Sequence, residues 1–168
     1  MERVMIIGPR GAGKSTLAKK LSDITGLPAL HLDKLYWNSE GESLSIADFD
    51  RLLAEEIAKD RWIIDGNYSR ALNGMLNRSD TVIFLDYSKF SCVLGVISRT
   101  LRGARLHHTN VAEGYSGRLD FSFLKAIWRT ADKNRQRYYT MLEKVEDTKV
   151  VILKKRRECR KFLAEMKK

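Results

Sequence analysis

The run Gly8-Pro-Arg-Gly-Ala-Gly-Lys14-Ser15-Thr16 constrains this chain more than any other stretch, because it fits G-x-x-x-x-G-K-[ST], the spacing of a phosphate-binding P-loop. Its context agrees. Val4-Met5-Ile6-Ile7 just before it is a short apolar run that reads as a strand covered on both faces. Just after it, Leu17, Ala18 and Leu21 fall at helical spacing, and Gly26 and Pro28 supply stop signals. Strand, glycine loop and helix start together make an anion trap. Gly8, Gly11 and Gly13, with Ala12 between them, let backbone N–H groups turn toward a polyphosphate, and the helix dipole adds partial positive charge. Lys14 is placed to reach the β- and γ-phosphates, and the Ser15 hydroxyl to ligate Mg²⁺. Thr16 follows, positioned to pack or hydrogen-bond near the α-phosphate. The expectation is a chain that binds a nucleoside triphosphate.

The pattern after the loop repeats that first unit. Five short apolar runs read as strands: Val4–Ile7, Ala29–Leu32, Trp62–Ile64, Val82–Leu85 and Val150–Leu153. Helical patterns separate them at Lys14–Thr25, Ile46–Lys59, Ser88–Arg102, about Phe121–Val145 and Glu158–Met166. In the second, Ser45 is the expected N-cap and Phe49, Leu52, Leu53 and Ile57 the buried stripe. In the fourth, Leu124, Trp128, Ala131, Tyr138, Leu142 and Val145 form the stripe. Arg135 interrupts it, as an edge position or as a functional intrusion. Alternating strands and helices predict a single α/β domain over residues 1–168, doubly wound on a parallel sheet. Two stretches without periodicity, Lys34–Leu44 and Ala104–Gly117, are long loops of the kind that carry function.

Composition narrows the setting. The chain of 168 residues has room for a core without disulfides, and Cys92 and Cys159 belong to no C-x-x-C pattern, which suits thiols in a reducing cytosol. The first strand starts almost at the N-terminus, leaving no space for a signal peptide, and the longest apolar stretches are too short for a bilayer. A cytoplasmic protein without a membrane partner is expected. The charge is uneven: residues 1–86 carry 11 Lys/Arg against 13 Asp/Glu, and residues 87–168 carry 20 against 8. A basic second half can grip nucleic acid, can hold a polyanionic small substrate through arginines, or can be a solvated face.

In open α/β sheets ligands lie beyond the carboxyl ends of the strands. Three aspartates stand there. Asp65 suits the carboxylate that holds Mg²⁺ directly or through water, against a plain Asp-Gly turn. Asp33 can orient or deprotonate an acceptor hydroxyl, against a helix or turn cap. Asp86 reads as a cap and is left outside the site. Tyr36 and Trp37 can stack on a base or sugar or can cover the core. Asn67, Tyr68 and Arg70 are placed to read an acceptor, the arginine by forking onto a phosphate or carboxylate. Phosphoryl transfer also needs cations around the migrating group, and the run Arg99, Arg102, Arg105 with Arg118 beyond it flanks the second irregular stretch. Arg99 and Arg118 are the first choices for arginines that close over the phosphates and exclude water. His107 and His108 have no cysteine partners nearby, so no metal is expected there.

Taken together, these residues resemble the adenylate-kinase-like P-loop NTPases and, more closely, the bacterial DNA topology modulation (FlaR-like) proteins. The markers are the P-loop, His31-Leu-Asp33-Lys-Leu-Tyr-Trp37, Trp62-Ile-Ile-Asp65-Gly-Asn67-Tyr68, Val82-Ile-Phe-Leu-Asp86 and Glu113-Gly followed by Arg118-Leu-Asp120, spread over nearly the whole chain. The resemblance implies a three-layer fold with a five-stranded parallel sheet of order 2-3-1-4-5. It also implies a short helical lid at about 103–118 and ATP with Mg²⁺ as cofactors. It makes Asp65-Gly66 similar to the Asp-Gly of nucleotide kinases, Arg99 to their lid-helix arginine, and Arg118 with Asp120 to the lid-exit pair. Where those kinases continue Gly-Phe-Pro-Arg, this chain has Gly66-Asn67-Tyr68-Ser69-Arg70, with the arginine one residue further on. Lys154-Lys-Arg-Arg157 follows the fifth strand, where such kinases touch adenine; here backbone contacts and a solvated or DNA-facing patch are expected. Three functions remain open: a kinase for a nucleoside, nucleotide or sugar-like acceptor, a DNA-associated ATPase affecting topology, and a nucleotide-binding switch with weak hydrolysis. The first is favoured, because it uses Asp33 and the Asp65 loop.

Overall fold

A computed structural model describes residues 1–36, 43–68, 70–106 and 121–167. The described strands are β1 (Arg3–Ile7), β2 (Ala29–His31), β3 (Trp62–Asp65), β4 (Thr81–Leu85) and β5 (Lys149–Leu153). All pair in parallel in the order β2-β3-β1-β4-β5, as expected. Alternate side chains of the central strands enter two separate cores, the period-2 geometry of a strand covered on both faces. Val4, Ile6, Ile63, Ile83 and Leu85 face one. Met5, Ile7, Trp62, Ile64, Val82 and Phe84 face the other.

The helices are α1 (Lys14–Thr25), α2 (Leu32–Tyr36), α3 (Ile46–Ile57), α4 (Leu72–Arg78), α5 (Lys89–Leu106), α6 (Phe121–Leu142) and α7 (Arg156–Glu165). The first core is roofed by α1 through Leu17, Ala18 and Leu21, by α5 through Cys92 and Val96, and by α7 through Leu163. The second takes Phe49 and Leu53 from α3 and Leu72, Met75 and Leu76 from α4. Helix α6 serves both, with Ile127 in the first and Tyr138 and Leu142 in the second. Ser45 caps α3 as expected, its hydroxyl accepting the Asp48 N–H at 3.1 Å.

The structure corrects the sequence reading in several places. Two short helices, α2 and α4, have too few turns to leave a periodic signature, and α2 removes Leu32 from β2. Helix α5 runs to Leu106, into the start of the expected lid; the rest of that lid, within residues 107–120, lies outside the described residues. The α6 stripe holds at Leu124, Tyr138, Leu142 and Val145 but not at Trp128, which is 46% exposed with the Lys89 ammonium over its ring at 5.0 Å, while its neighbour Ile127 is buried. The smaller aliphatic side chain fits between helix and sheet, and the indole is left on the flank as a platform for a cation. Among the described residues, no helix is long and apolar enough to cross a membrane.

Candidate active site

The loop between β1 and α1 is shaped by its glycines. Gly8, Gly11 and Gly13 all have positive φ, at 146°, 81° and 92°, and Gly13 is the N-cap of α1. At Gly11 the requirement is also steric, since a Cβ would overlap the Cys92 carbonyl oxygen and lie 2.9 Å from Val96 Cγ2. The phosphate loop therefore rests backbone-to-backbone on α5. Arg156, at the start of α7, adds a strut: its Nη2 reaches the carbonyls of Gly11 at 3.4 Å and Ser91 at 3.2 Å, and its guanidinium lies over the Tyr87 ring. The run Lys154–Arg157 is exposed and opens α7, as expected, with this strut as an addition.

Lys14 folds back over its own loop, its ammonium donating to the Gly8 carbonyl at 3.0 Å and the Pro9 carbonyl at 3.3 Å. Burial pushes its pKa below the usual lysine range, and the carboxylates of Asp65 and Asp33 oppose that shift. An ammonium so placed gains from an incoming phosphate, which restores the charge balance that burial disfavours. Ser15 Oγ, on the exposed first turn of α1, donates to Asp65 Oδ2 at 2.6 Å. Asp65 is 4% exposed, and His31 Nδ1 holds its other oxygen, Oδ1. The register explains the meeting, since His31 and Asp65 are paired residues of β2 and β3. Asn67 completes the frame: its Nδ2 donates to the Gly8 carbonyl at 2.7 Å, and its buried Oδ1 has no hydrogen-bond partner among the described residues. Gly66 next to it, with φ 150°, allows Leu32 to close in; a Cβ there would sit 2.7 Å from Leu32 Cβ.

These residues suit a magnesium ion brought in on phosphates. A serine hydroxyl and a carboxylate are hard oxygen donors, and Mg²⁺ takes one or two such groups while phosphate oxygens and waters fill the octahedron. The orphaned Asn67 Oδ1 is a further acceptor at the same place, able to receive a hydrogen bond from a metal-bound water or a substrate hydroxyl.

The structure gathers the acceptor candidates more loosely. Asp33 is exposed in the first turn of α2, and its charge reaches both Lys14 and Tyr68. Tyr68 is pushed up to about 12 by burial and then by Asp33. Tyr36, Phe49 and Tyr68 meet as three rings with centroids 4.7–5.8 Å apart, a wall contributed by α2, α3 and the loop after β3. Arg70 points to α3, where it pairs with Asp50 at 3.3 Å. Thr16 is exposed on α1 beside Ser15, and Arg99 is exposed on α5. Trp37 and Arg118 lie outside the described residues, as do His107 and His108.

Asp86, which the sequence reading left outside the site, and Arg135, which it left open as an edge position or a functional intrusion, meet beside it. Asp86 is not a cap. It is 5% exposed at the end of β4 and takes a forked pair of bonds from Arg135 of α6, Nε to Oδ1 at 2.6 Å and Nη2 to Oδ2 at 2.7 Å, with Tyr139 Oη donating to Oδ2 at 2.8 Å. Asp86 holds Arg135 firmly in the charged state. The pair borders a cavity of about 290 Å³ that opens beside Pro9 of the phosphate loop and also takes in Lys89, Cys92 and Lys154. Burial, with a smaller push from Asp86 and against Lys14 and Arg156, raises the Cys92 thiol to about 11, which leaves it inert. The break in the α6 stripe at Arg135 was the signal for this pair; His31 gave none beyond its place at a strand end.

Similar arrangements of strands and helices occur in solved structures. A shikimate kinase from Bacteroides thetaiotaomicron matches with a TM-score of 0.59 at 18% identity, covering 98% of this chain and 96% of that one. This is the P-loop kinase fold. A gluconokinase from Sinorhizobium meliloti 1021 shares it at a TM-score of 0.54 and 15% identity, over 98% of this chain and 89% of that one. A shikimate kinase from Aquifex aeolicus matches at 0.53 and 19% identity, over 98% and 92%. No protein-family model matches the sequence, and no curated protein matches it either. The likeness to P-loop kinases is thus one of fold; the narrower topology-modulation resemblance rests on its sequence motifs alone.

Proposed function

We propose that this chain is an ATP- and Mg²⁺-dependent phosphotransferase that moves the γ-phosphoryl group to a small acceptor of the nucleoside, nucleotide or sugar-like class. The observation that carries the reading is the tie between Ser15 and Asp65, with Asp33 standing free in the field of Lys14. A mere nucleotide-binding loop has no use for an unburied carboxylate facing its lysine. A transferase does.

In this reading the loop N–H groups and Lys14 hold the polyphosphate. Ser15 and Asp65 would hold Mg²⁺, which would supply neutralising positive charge to the polyphosphate. The acceptor hydroxyl lies against the Tyr36–Tyr68 wall with Asn67 and Arg70 to read it, and Asp33 takes its proton as its oxygen bonds to the γ-phosphorus. The bond from that phosphorus to the bridging oxygen breaks, and the electron pair leaves with the diphosphate. Lys14, Arg99 and Arg118, joined by Arg135, balance the charge that collects on the departing oxygens. The test is transfer of label from γ-labelled ATP·Mg²⁺ to a panel of nucleosides, nucleoside monophosphates, sugars and hydroxy acids, beside Lys14→Ala. Lys14-dependent label on one acceptor supports the reading. Label released only as free phosphate overturns it.

One observation favours a second reading, a DNA-associated ATPase. A groove of about 660 Å³ between α4 and α6 is lined by Lys133, Arg137 and Lys144 with Asn73 and Asn77, with no carboxylate among its described lining residues. It suits a phosphodiester backbone. Phosphate release that rises with supercoiled DNA, and falls back in added salt, would promote it over the kinase.

A further inference from the structure

We infer that His31 is a positioning residue for the magnesium site: it fixes Asp65 so that this carboxylate acts on the cation through the Ser15 hydroxyl and not by direct ligation. The inference rests on the phosphotransferase reading and adds a residue to it.

The geometry leaves Asp65 little freedom. Its side chain is nearly out of solvent, with Oδ2 taking the Ser15 hydroxyl at 2.6 Å and Oδ1 held by His31 Nδ1. A carboxylate oxygen only accepts, so Nδ1 carries the proton in this contact. The backbone enforces the pairing, because parallel neighbours in register project to the same side of the sheet, and His31 faces Asp65 across β2 and β3. On the other side Ile6 of β1 is Asp65's register partner and offers no polar group. His31 is thus the only side chain besides Ser15 that the described residues show bonded to this carboxylate.

The Ser15 hydroxyl has one proton and two lone pairs. With the proton committed to Oδ2, both lone pairs are free to face a cation, and their direction is set by where Oδ2 sits. If His31 is removed, Asp65 can rotate and the hydroxyl loses its fixed acceptor. Outer-shell partners of this kind typically account for about 10–100-fold in metal affinity. His31 itself touches neither nucleotide nor acceptor in this reading.

The experiment uses Mn²⁺ as a spin probe for the magnesium site, with its affinity for the protein–ATP complex followed by electron paramagnetic resonance. Metal-free ATP binding, measured by calorimetry in chelator, is followed in parallel. His31→Ala is expected to weaken Mn²⁺ about 10–100-fold while metal-free ATP affinity stays within about twofold. His31→Asn, whose amide N–H can replace Nδ1–H, is expected to recover most of the loss. Equal weakening of both affinities by His31→Ala, or an unchanged Mn²⁺ affinity, overturns the inference, and so does a failure of His31→Asn to recover. A wild-type chain that binds no ATP with or without cation overturns the phosphotransferase reading and this inference with it. A wild type that binds both, with His31→Ala indifferent, overturns the inference alone.

Discussion

The two ends of the candidate site are built by different rules. At the phosphate end, side chains from one element are bonded to another: Ser15 of α1 to Asp65 of β3, Asp65 to His31 of β2, Asn67 to the Gly8 carbonyl, Arg156 to the Gly11 carbonyl. At the acceptor end, Asp33 is exposed, Arg70 bonds exposed Asp50, and the other contacts between elements are ring against ring among the described residues. A triphosphate presents the same run of anionic oxygens whatever the acceptor, so a rigid cradle can be assembled in advance and costs no reorganisation when charge develops. Acceptors differ, and an end made of rings and a rotatable arginine can be altered without disturbing the cradle. Fold and phosphate chemistry therefore travel together in this chain, and acceptor choice travels separately.

The comparison is broken most directly at Lys14. Lys14→Ala is expected to lower phosphoryl transfer by at least about 10²–10³-fold, the scale for losing one preorganised charge donor in a closed site, measured as label transfer. Stability should be unchanged or slightly higher, because the fold disfavours that ammonium. The sign in pH follows. The folded pKa lies below the ordinary lysine value, so phosphate binding should weaken as pH rises through that lowered value, and bound ATP should shift the transition upward. A nucleotide affinity flat across the alkaline range would contradict this.

At the acceptor end the matching change is Asp33→Asn. An exposed carboxylate contributes little to folding, so thermal stability should hold within about 0.5 kcal/mol. A general base supplies about 10²–10⁴-fold, and kcat should fall by about 10²-fold with ATP affinity intact. Loss of ATP binding as well would show that Asp33 belongs to the cradle and that the two ends are not separable.

The preassembled end also predicts where small changes are costly. Gly11→Ala meets the Cys92 carbonyl at a φ of 81° and should cost about 2–3 kcal/mol. Gly74→Ala, in α4 with nothing within 4 Å, should instead stabilise by about 0.5–1 kcal/mol. Denaturant melts of the pair distinguish a cradle under steric constraint from general glycine sensitivity. If Gly11→Ala melts like the wild type, the loop does not rest on α5.

The same division explains what the sequence could reveal. The strands and the phosphate loop were legible because they depend on local rules: apolar runs of strand length, glycine spacing, a helix start; the strand order came only with the family resemblance. Asp65 was legible because it ends a strand beside the loop. His31 was hidden, since its meaning lies in register with Asp65 across two strands, and no local pattern encodes register between segments 34 residues apart in the chain. Asp86 was misread as a cap for a similar reason, its partner Arg135 arriving from 49 residues downstream. Trp128 was placed in the stripe on helical spacing, whereas at that turn of α6 the adjacent Ile127 is the residue buried against the core. Helices α2 and α4 were missed because so few turns carry no period.

The smallest expected effect is the one that best sharpens the comparison. Arg70 is 69% exposed and its partner Asp50 45%, so the pair contributes less than about 1 kcal/mol. Swinging the guanidinium from Asp50 to an anionic group on the acceptor therefore costs little, and the gain of a forked bond offsets it. Arg70→Ala should leave stability unchanged and raise the acceptor KM by about 3–10-fold, equivalent to about 0.7–1.4 kcal/mol. Asp50→Ala should act in the opposite direction, lowering KM slightly by releasing Arg70 for the acceptor. Opposite signs from the two halves of one ion pair are not expected of a structural bridge, whose two truncations act alike. If both variants raise KM together, the pair is part of a fixed acceptor wall, and the acceptor end is as preassembled as the phosphate end.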